Sequence, residues 1–435
     1  MHRQQNPTRR LLAAGVATLA VVGAAAPTAA AEEDPAQPAG TNELVALTDD
    51  GRLVDGRSGI NGTANVASRD GRFVVFSTPA RLVPEDRNRT DDVYVRDTVA
   101  DRTRLVSVTR GGRLGNDYSV EPSISYDGRY VAFTTWADNL VRDRNGHTLD
   151  VLVKDLGTGR LELVSRSTKG EQAARNSFFP VISGNGRRVA FQSFGRYSPT
   201  DQDRREDVYV HDRVTDRTRH VSRKADGSDI RASVLVGGIS AYGRKVTFGT
   251  DNDAWARDLR TGRTTRFWHE ANHPDPSFPM GSLGRPQISG DGRYVAFSTL
   301  REPTGDPDNH AADVFRMHLG TRAVDKVSVG HDQSASEDHS FLPSLTHDGS
   351  QVGFMSFAQD LVAGDVPGAD TFVRDVDTGT TVMASRGAEG PGDNDSGRNA
   401  VAISADGQTL VYETYAENLV PDDTNHALKV LAWRR

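Results

Sequence analysis

A short turn, Asp-Gly-Arg in its commonest form, returns along this chain at nearly constant intervals, and the interval decides the fold. The turns stand at Asp70-Gly71-Arg72, Asp127-Gly128-Arg129, Asn185-Gly186-Arg187, Tyr242-Gly243-Arg244, Asp291-Gly292-Arg293, Asp348-Gly349-Ser350 and Asp406-Gly407-Gln408. Their spacings are 57, 58, 57, 49, 57 and 58 residues. So regular a period marks one supersecondary unit copied seven times, each copy relying on its neighbours to cover its apolar face.

The second copy shows the unit most clearly. Residues 121–125 read as a short first strand, with Pro122 near its start, where a missing N–H is tolerated. Tyr126-Asp127-Gly128-Arg129 is a tight turn: Asp bonds its own backbone and Gly supplies positive φ. Residues 130–135 form a β-branched and aromatic second strand, 150–155 a third and 160–165 a fourth. Four short antiparallel strands per copy, set around a ring, predict an all-β, seven-bladed β-propeller. Closure is predicted as well. Residues 428–433 match a third strand with no fourth after it, while 44–51 match 105–112, the end of a fourth strand. The N-terminal segment is therefore expected to complete blade 7 and hide its free edge.

The run Ser125-Tyr126-Asp127-Gly128-Arg129-Tyr130-Val131-Ala132-Phe133, echoed by Ser289-Gly290-Asp291-Gly292-Arg293-Tyr294-Val295-Ala296-Phe297, resembles the WD40-like PD40 repeat of TolB and its relatives. The resemblance spans essentially all of residues 42–435. It implies the propeller fold, with protein binding the common role and peptidase capping the role in kindred propellers. The α/β domain that precedes the TolB propeller is not expected, because blade sequence begins near residue 42. The Gly-His…Trp-Asp signature of ordinary WD40 repeats is absent, since no Trp is followed by Asp. The sialidase Asp-box is excluded too, since it separates the Asp and Gly that are adjacent here.

Arg9-Arg10 precede an Ala/Val/Leu run over residues 11–26, and Ala29-Ala30-Ala31 offers a small-residue cleavage site. This predicts a secretory signal peptide over residues 1–31, its apolar run too short for a membrane span, then a linker over 32–41. Export by Sec, or by the twin-arginine route that Arg9-Arg10-Leu11-Leu12 resembles, would place the mature chain outside the cytoplasm without a transmembrane anchor. The chain has no Cys, which excludes disulfides and thiol chemistry. A net charge of −7 without basic blocks offers no stripe for nucleic acid. A monomer is expected, with about 400 residues burying a large core.

Function should lie on the loops. If first strands run down, the Asp-Gly-Arg turns lie on the bottom, and the long loops between strands two and three share the top with the blade connections. Length and variation concentrate there, so the top is the candidate binding surface. Blade 4 departs most: Thr250-Asp251-Asn252-Asp253 replaces its long loop, and the connection that follows carries Trp268, His269, His273 and Phe278. With His339 in a later connection, these groups suit a grip on a sugar or peptide, or a plug at the channel mouth.

The long loops repeat acids. Asp143, Asn145 and Asp150 recur as Asp306, Asp308 and Asp313. Several oxygens on one short loop are what Ca²⁺ coordination requires, and calcium is the one cofactor the sequence admits. The central Asp-Gly of an EF-hand loop is missing, however, and side-chain-to-backbone turns account for the pattern without an ion; the turns are the expectation. Lys429 at the last Asp position argues against a metal in blade 7. His147, His310 and His426 share one position in blades 2, 5 and 7, which copying of an ancestral loop explains better than a common metal. No Gly-x-Ser-x-Gly elbow is present for Ser/His/Asp catalysis. The expectation is a binding or scaffold module for a protein or cell-envelope component, glycans included. Its rival is a propeller lyase, lactonase or glycosidase working at the top of the channel.

Overall fold

The structure, a computed structural model, describes residues 40–54, 56–60, 65–203, 205–270, 285–305, 310–421, 423 and 426–435, without the side chains of 398 and 399. The signal-peptide reading of residues 1–31 lies outside them. Blade 2 comprises Ser119–Ile124, Tyr130–Thr135, Asp150–Asp155 and Leu161–Leu163, hydrogen-bonded in that order. Blades 3 to 6 repeat the order, opening on Ser177–Ile182, Leu235–Ile239, Gln287–Ile288 and Ser340–Leu345. Blade 1 carries Phe73–Thr78, Asp92–Asp97 and Arg102–Leu105, and its innermost strand is reduced to the single bridges Gly59–Ser77 and Ala67–Val74.

Blade 7 joins both ends of the chain. Ser396–Ile403, Thr409–Thr414 and Lys429–Arg434 take Thr41–Leu44 as their fourth strand, with Thr41 opposite Arg434 and Leu44 opposite Leu431. The ring closes as predicted, but the closing strand is shifted. Most of the aligned stretch 44–51 belongs to a small turn in which Leu47 bridges Leu53, as Val108 bridges Leu114 after blade 1. The chain leaves the blade edge there to reach the next first strand.

Second and third strands occupy the middle of each blade and are apolar on both faces, as strands covered on both sides must be. The fourth residue of strand two is a fully buried ring in every blade: Phe76, Phe133, Phe191, Phe248, Phe297, Phe354 and Tyr412. Each ring buried between sheets contributes roughly 2–3 kcal/mol, and replacing one by Ala costs about 3–5 kcal/mol.

The bottom turns fasten one blade to the next. Asp127 Oδ1 accepts from Ser125 Oγ at 2.5 Å and from Arg129 N–H at 3.0 Å, and Gly128 turns at φ 68°. A Cβ on Gly128 would stand 2.3 Å from Cδ2 of Phe73 in blade 1, and one on Gly71 would stand 2.1 Å from Oγ1 of Thr409 in blade 7. Glycine is thus required twice over, by its φ and by the preceding blade. Arg129 then forks onto Asp155, at 3.1 and 2.9 Å, while Asp155 caps the N–H groups of Gly157 and Thr158.

Candidate binding face

First strands of neighbouring blades touch around the axis, so their upper ends surround the mouth of the ring. In blades 2, 3 and 6 they open with Ser-x-x-Pro: Ser119-Val120-Glu121-Pro122, Ser177-Phe178-Phe179-Pro180 and Ser340-Phe341-Leu342-Pro343. Proline cannot donate to the ladder, and the strand bulges just before it. Glu121, Phe179 and Leu342 have φ of 55°, 50° and 55°, and pairing with strand two slips at each. Such conformations are uncommon outside glycine, and bulges of this kind re-aim side chains.

Around these bulges lies a charged network that joins blades 2 to 5. Glu121 Oε2 accepts from Thr134 Oγ1 and from the Phe179 N–H of the next blade, both at 2.7 Å. Burial raises the Glu121 carboxyl, against the pull of these donors and of Arg285. Arg285, entering from blade 5, sets its Cζ 3.7 Å from the centroid of the Phe179 ring and donates to Val236 O at 3.3 Å. A desolvated cation over a ring is worth about 2 kcal/mol. Burial lowers the guanidinium to about 10, and Glu121 and Glu206 oppose the fall. Glu206, itself raised by burial, accepts from Gln192 Nε2 at 2.7 Å, while Gln192 Oε1 accepts the Val236 N–H at 3.0 Å.

An aromatic rim accompanies the network. The residue after strand two is Trp136, Phe194, Phe357 or Tyr415 in blades 2, 3, 6 and 7. Phe194 and Tyr415 are 39% and 40% exposed, and the other two are half-buried. Trp136 packs between Tyr118 at 4.9 Å and His147 at 5.6 Å, centroid to centroid. Phe194 meets Phe178 at 5.7 Å, which stands edge-on to Phe179 at 5.4 Å. A cavity of about 440 Å³ opens beside Phe194, lined also by Ala173, Arg175 and Arg196.

The candidates read from sequence fall in several places. Trp268 and His269 end the outermost strand of blade 4, Thr264–His269. The Trp268 ring packs at 5.5 Å on Phe297 of blade 5, and His269 Nδ1 lies 2.8 Å from Asp253. His273 and Phe278 lie outside the described residues. His339 accepts the Ala312 N–H at 2.7 Å and stacks on Phe341 at 5.7 Å, beside one of the bulged strands. Asp143, Asn145 and Asp150 do converge: Gln172 Nε2 is 3.2, 3.2 and 3.4 Å from their oxygens. Asn145 N–H donates to Asp143 at 2.9 Å, the expected local turn. Asp313 pairs with Lys326 at 2.7 Å, and Asp306 and Asp308 lie outside the described residues. His147 and His426 each face a carboxylate of their own blade, Asp117 and Glu417.

Sequence reasoning missed the network and the rim. Alignment of the repeats at the position after strand two would have exposed the aromatic series, because the blades without it have Pro79, Thr250 and Leu300 there.

No family model and no curated protein matches the sequence. Among solved structures, the chain is similar to an oligogalacturonate lyase of Vibrio parahaemolyticus, with TM-score 0.53 and 10% identity over 91% of this chain and 97% of that one. The β-propeller domain of the Trilobed protease of Pyrococcus furiosus is similar at TM-score 0.52 and 10% identity, over 87% and 95%. A putative TolB of Agrobacterium tumefaciens is similar at TM-score 0.40 and 18% identity, over 65% and 83%. At these identities the likeness is one of fold. The protein is an all-β, seven-bladed propeller. TolB proteins stand among its structural neighbours.

Proposed function

We propose that this propeller is an exported binding module whose top face holds an extended strand of a protein or cell-envelope component, glycan or peptide. The observation that supports the reading is the aromatic rim of Trp136, Phe194, Phe357 and Tyr415 around the bulged first strands. Large rings left partly open on a rigid scaffold stack on sugar faces and on apolar side chains at little entropic cost. The reading of residues 1–31 as a signal peptide puts such a ligand outside the cytoplasm, and N-terminal sequencing of secreted protein starting near Glu32 is the expected result.

Removing stacking rings weakens binding by roughly 0.5–1.5 kcal/mol each, so Trp136→Ala with Phe194→Ala should reduce retention on an insoluble cell-envelope fraction about tenfold or more. Phe194→Ala alone should leave the melting temperature nearly unchanged, since that ring is exposed, whereas loss of the half-buried Trp136 should lower it in the double variant without unfolding it. Wild-type retention in a folded double variant would refute the reading.

An enzyme is the second reading, supported by Glu121 and Glu206, two carboxyls raised by burial that both act electrostatically on the Arg285 guanidinium. A propeller lyase or glycosidase requires an acid and a base. Turnover of polyuronate or other glycan that disappears in Glu121→Gln and Glu206→Gln would select this reading over the first.

A further inference from the structure

The loops that lead into strand three differ in one telling way. In blade 5 the ammonium of Lys326 sits 2.7 Å from Asp313 Oδ2 and 2.9 Å from Glu302 Oε2. In blade 7 Lys429 pairs with Asp423 and donates to Ala416 O at 3.0 Å. A built-in cation therefore serves both loops.

Blade 3 has acids in the same loop and no lysine. One oxygen from each of Asp201, Asp203 and Asp207 lies within 4.8 Å of the others. Asp201 and Asp207 are only 6% and 3% exposed. Asp201 Oδ2 accepts from the Tyr209 hydroxyl at 2.6 Å, but its buried Oδ1 has no hydrogen-bond partner. Arg196 Nε stands 3.7 Å from that oxygen. At the position of Lys326 is His220, whose Nε2 lies 3.0 Å from Asp207 Oδ1. Blade 1 repeats the arrangement. The Tyr94 hydroxyl donates to Asp86 Oδ2 at 2.6 Å, and the fully buried Asp92 accepts from Ser107 Oγ at 2.5 Å through Oδ1, leaving Oδ2 without a hydrogen bond of ordinary geometry. Leu105 occupies the lysine position.

We propose that the blade 3 loop, through Asp201, Asp203 and Asp207, and its blade 1 copy, through Asp86, Asn88 and Asp92, each bind a divalent cation of the Ca²⁺ class. In blade 5 an ammonium already occupies the loop, whereas in blades 3 and 1 the equivalent position holds His220 and Leu105. A buried carboxylate oxygen without a donor is costly, and a hard cation satisfies it. Ca²⁺ takes 6–8 oxygens at roughly 2.3–2.6 Å, so the side chains supply part of the shell, with carbonyls and water completing it. Water and ion have access through a cavity of about 420 Å³ lined by Asp203 and Asp229. His220, with its Nε2 3.0 Å from Asp207 Oδ1, holds that ligand in orientation.

The tyrosines provide the probe. Tb³⁺ added to the full chain, after EDTA and desalting, should emit on excitation of Tyr209 and Tyr94, and CaCl₂ should displace it. About 10 mM CaCl₂, above the roughly 10⁻⁴–10⁻³ M dissociation constants of extracellular calcium modules, should raise the melting temperature by several degrees. Asp201→Asn with Asp203→Asn should remove about half of the displaceable emission, and Lys326→Met none. Wild-type protein with neither displaceable emission nor a calcium-dependent melting shift overturns the proposal. So does calcium-displaceable emission of wild-type size in the Asp201→Asn/Asp203→Asn variant.

Discussion

The two faces of the propeller put the same residue types to opposite uses. On the bottom, in blades 1 to 4, the aspartate that ends strand three receives an arginine: Arg72 on Asp97, Arg129 on Asp155, Arg187 on Asp212 and Arg244 on Asp258. Hydrogen bonds from those arginines hold Asp97 and Asp155 down at about 2. On the top, the aspartates that begin strand three sink into the blade. Burial pushes Asp92 and Asp150 up to about 6 and Asp370 to about 7. Only 5 residues separate Asp92 from Asp97 along one strand, 97 − 92, so local composition cannot account for the contrast. What differs is the partner. The bottom closes these charges with arginines, whereas on the top a lysine answers them in blades 5 and 7 and burial raises them in blades 1, 2 and 6.

The largest effect should come from the seam that keeps both faces in register. Thr41–Leu44 covers the edge of Lys429–Arg434, and Asn42 also ties blade 7 to blade 6 by donating to Ala384 O and Arg386 O at 3.0 Å. Deleting residues 41–46 bares that edge and uncovers Trp433, now 2% exposed. Each blade depends on its neighbours, so the expected result is aggregation or a melting temperature lower by at least about 10 °C. Calorimetry and light scattering check it. An unchanged transition would mean that top and bottom are not held by a closed ring.

Glycines measure the difference between the faces directly. Gly128 on the bottom and Gly146 on the top have similar φ, 68° and 74°. A methyl on Gly128 meets Phe73 at 2.3 Å, while one on Gly146 meets nothing within 4 Å. Gly128→Ala should therefore cost the left-handed penalty plus overpacking, roughly 2–4 kcal/mol together, and Gly146→Ala only the former, about 1 kcal/mol. Denaturant unfolding of the two variants separates these values. Equal losses would mean that the bottom turns are no more tightly fastened than the top loops.

The bottom was the legible face. Asp-Gly-Arg announces its own geometry, because a turn with positive φ has few residue choices; counting turns gave seven blades, and matching the two ends of the chain to the repeats gave the closing strand. The top was legible only in outline. Acid-rich loops were visible, yet the absence of the central Asp-Gly of an EF-hand loop favoured simple turns. Only three-dimensional packing shows that Asp201 Oδ1 and Asp92 Oδ2 are buried without a hydrogen bond. The Glu121–Arg285–Glu206 network was invisible because its members come from three blades, more than 160 residues apart at the extremes, 285 − 121 = 164. Trp268 and His269 drew attention as an aromatic and imidazole pair, but strand four is the outermost strand, and the Trp268 ring faces the neighbouring blade.

The smallest effect is also the one that tests the comparison most finely. Asp370, on the top in blade 6, is pushed up to about 7 by burial, with the charges of Asp365 and Asp395 adding to the rise; in the unfolded chain it would titrate near 3.8. Between those values the folded state holds a proton that the unfolded state has lost. Its contribution to stability is therefore present below about pH 4 and fades as pH rises through 7. Asp97 and Asp155 run the other way: lowered to about 2, they stabilise fully above pH 4 and lose that contribution as pH falls through 2. Asp370→Asn keeps an acceptor for the Ser385 hydroxyl, now at 2.6 Å, and removes the charge. Its melting temperature should exceed the wild type by about 2 °C at pH 8 and match it at pH 4, in the presence of EDTA. Asp155→Asn should instead fall below the wild type at pH 7 and converge with it near pH 2. Parallel pH profiles for wild type and Asp370→Asn would show that the top carboxylates are compensated after all, and the contrast between the faces would fail.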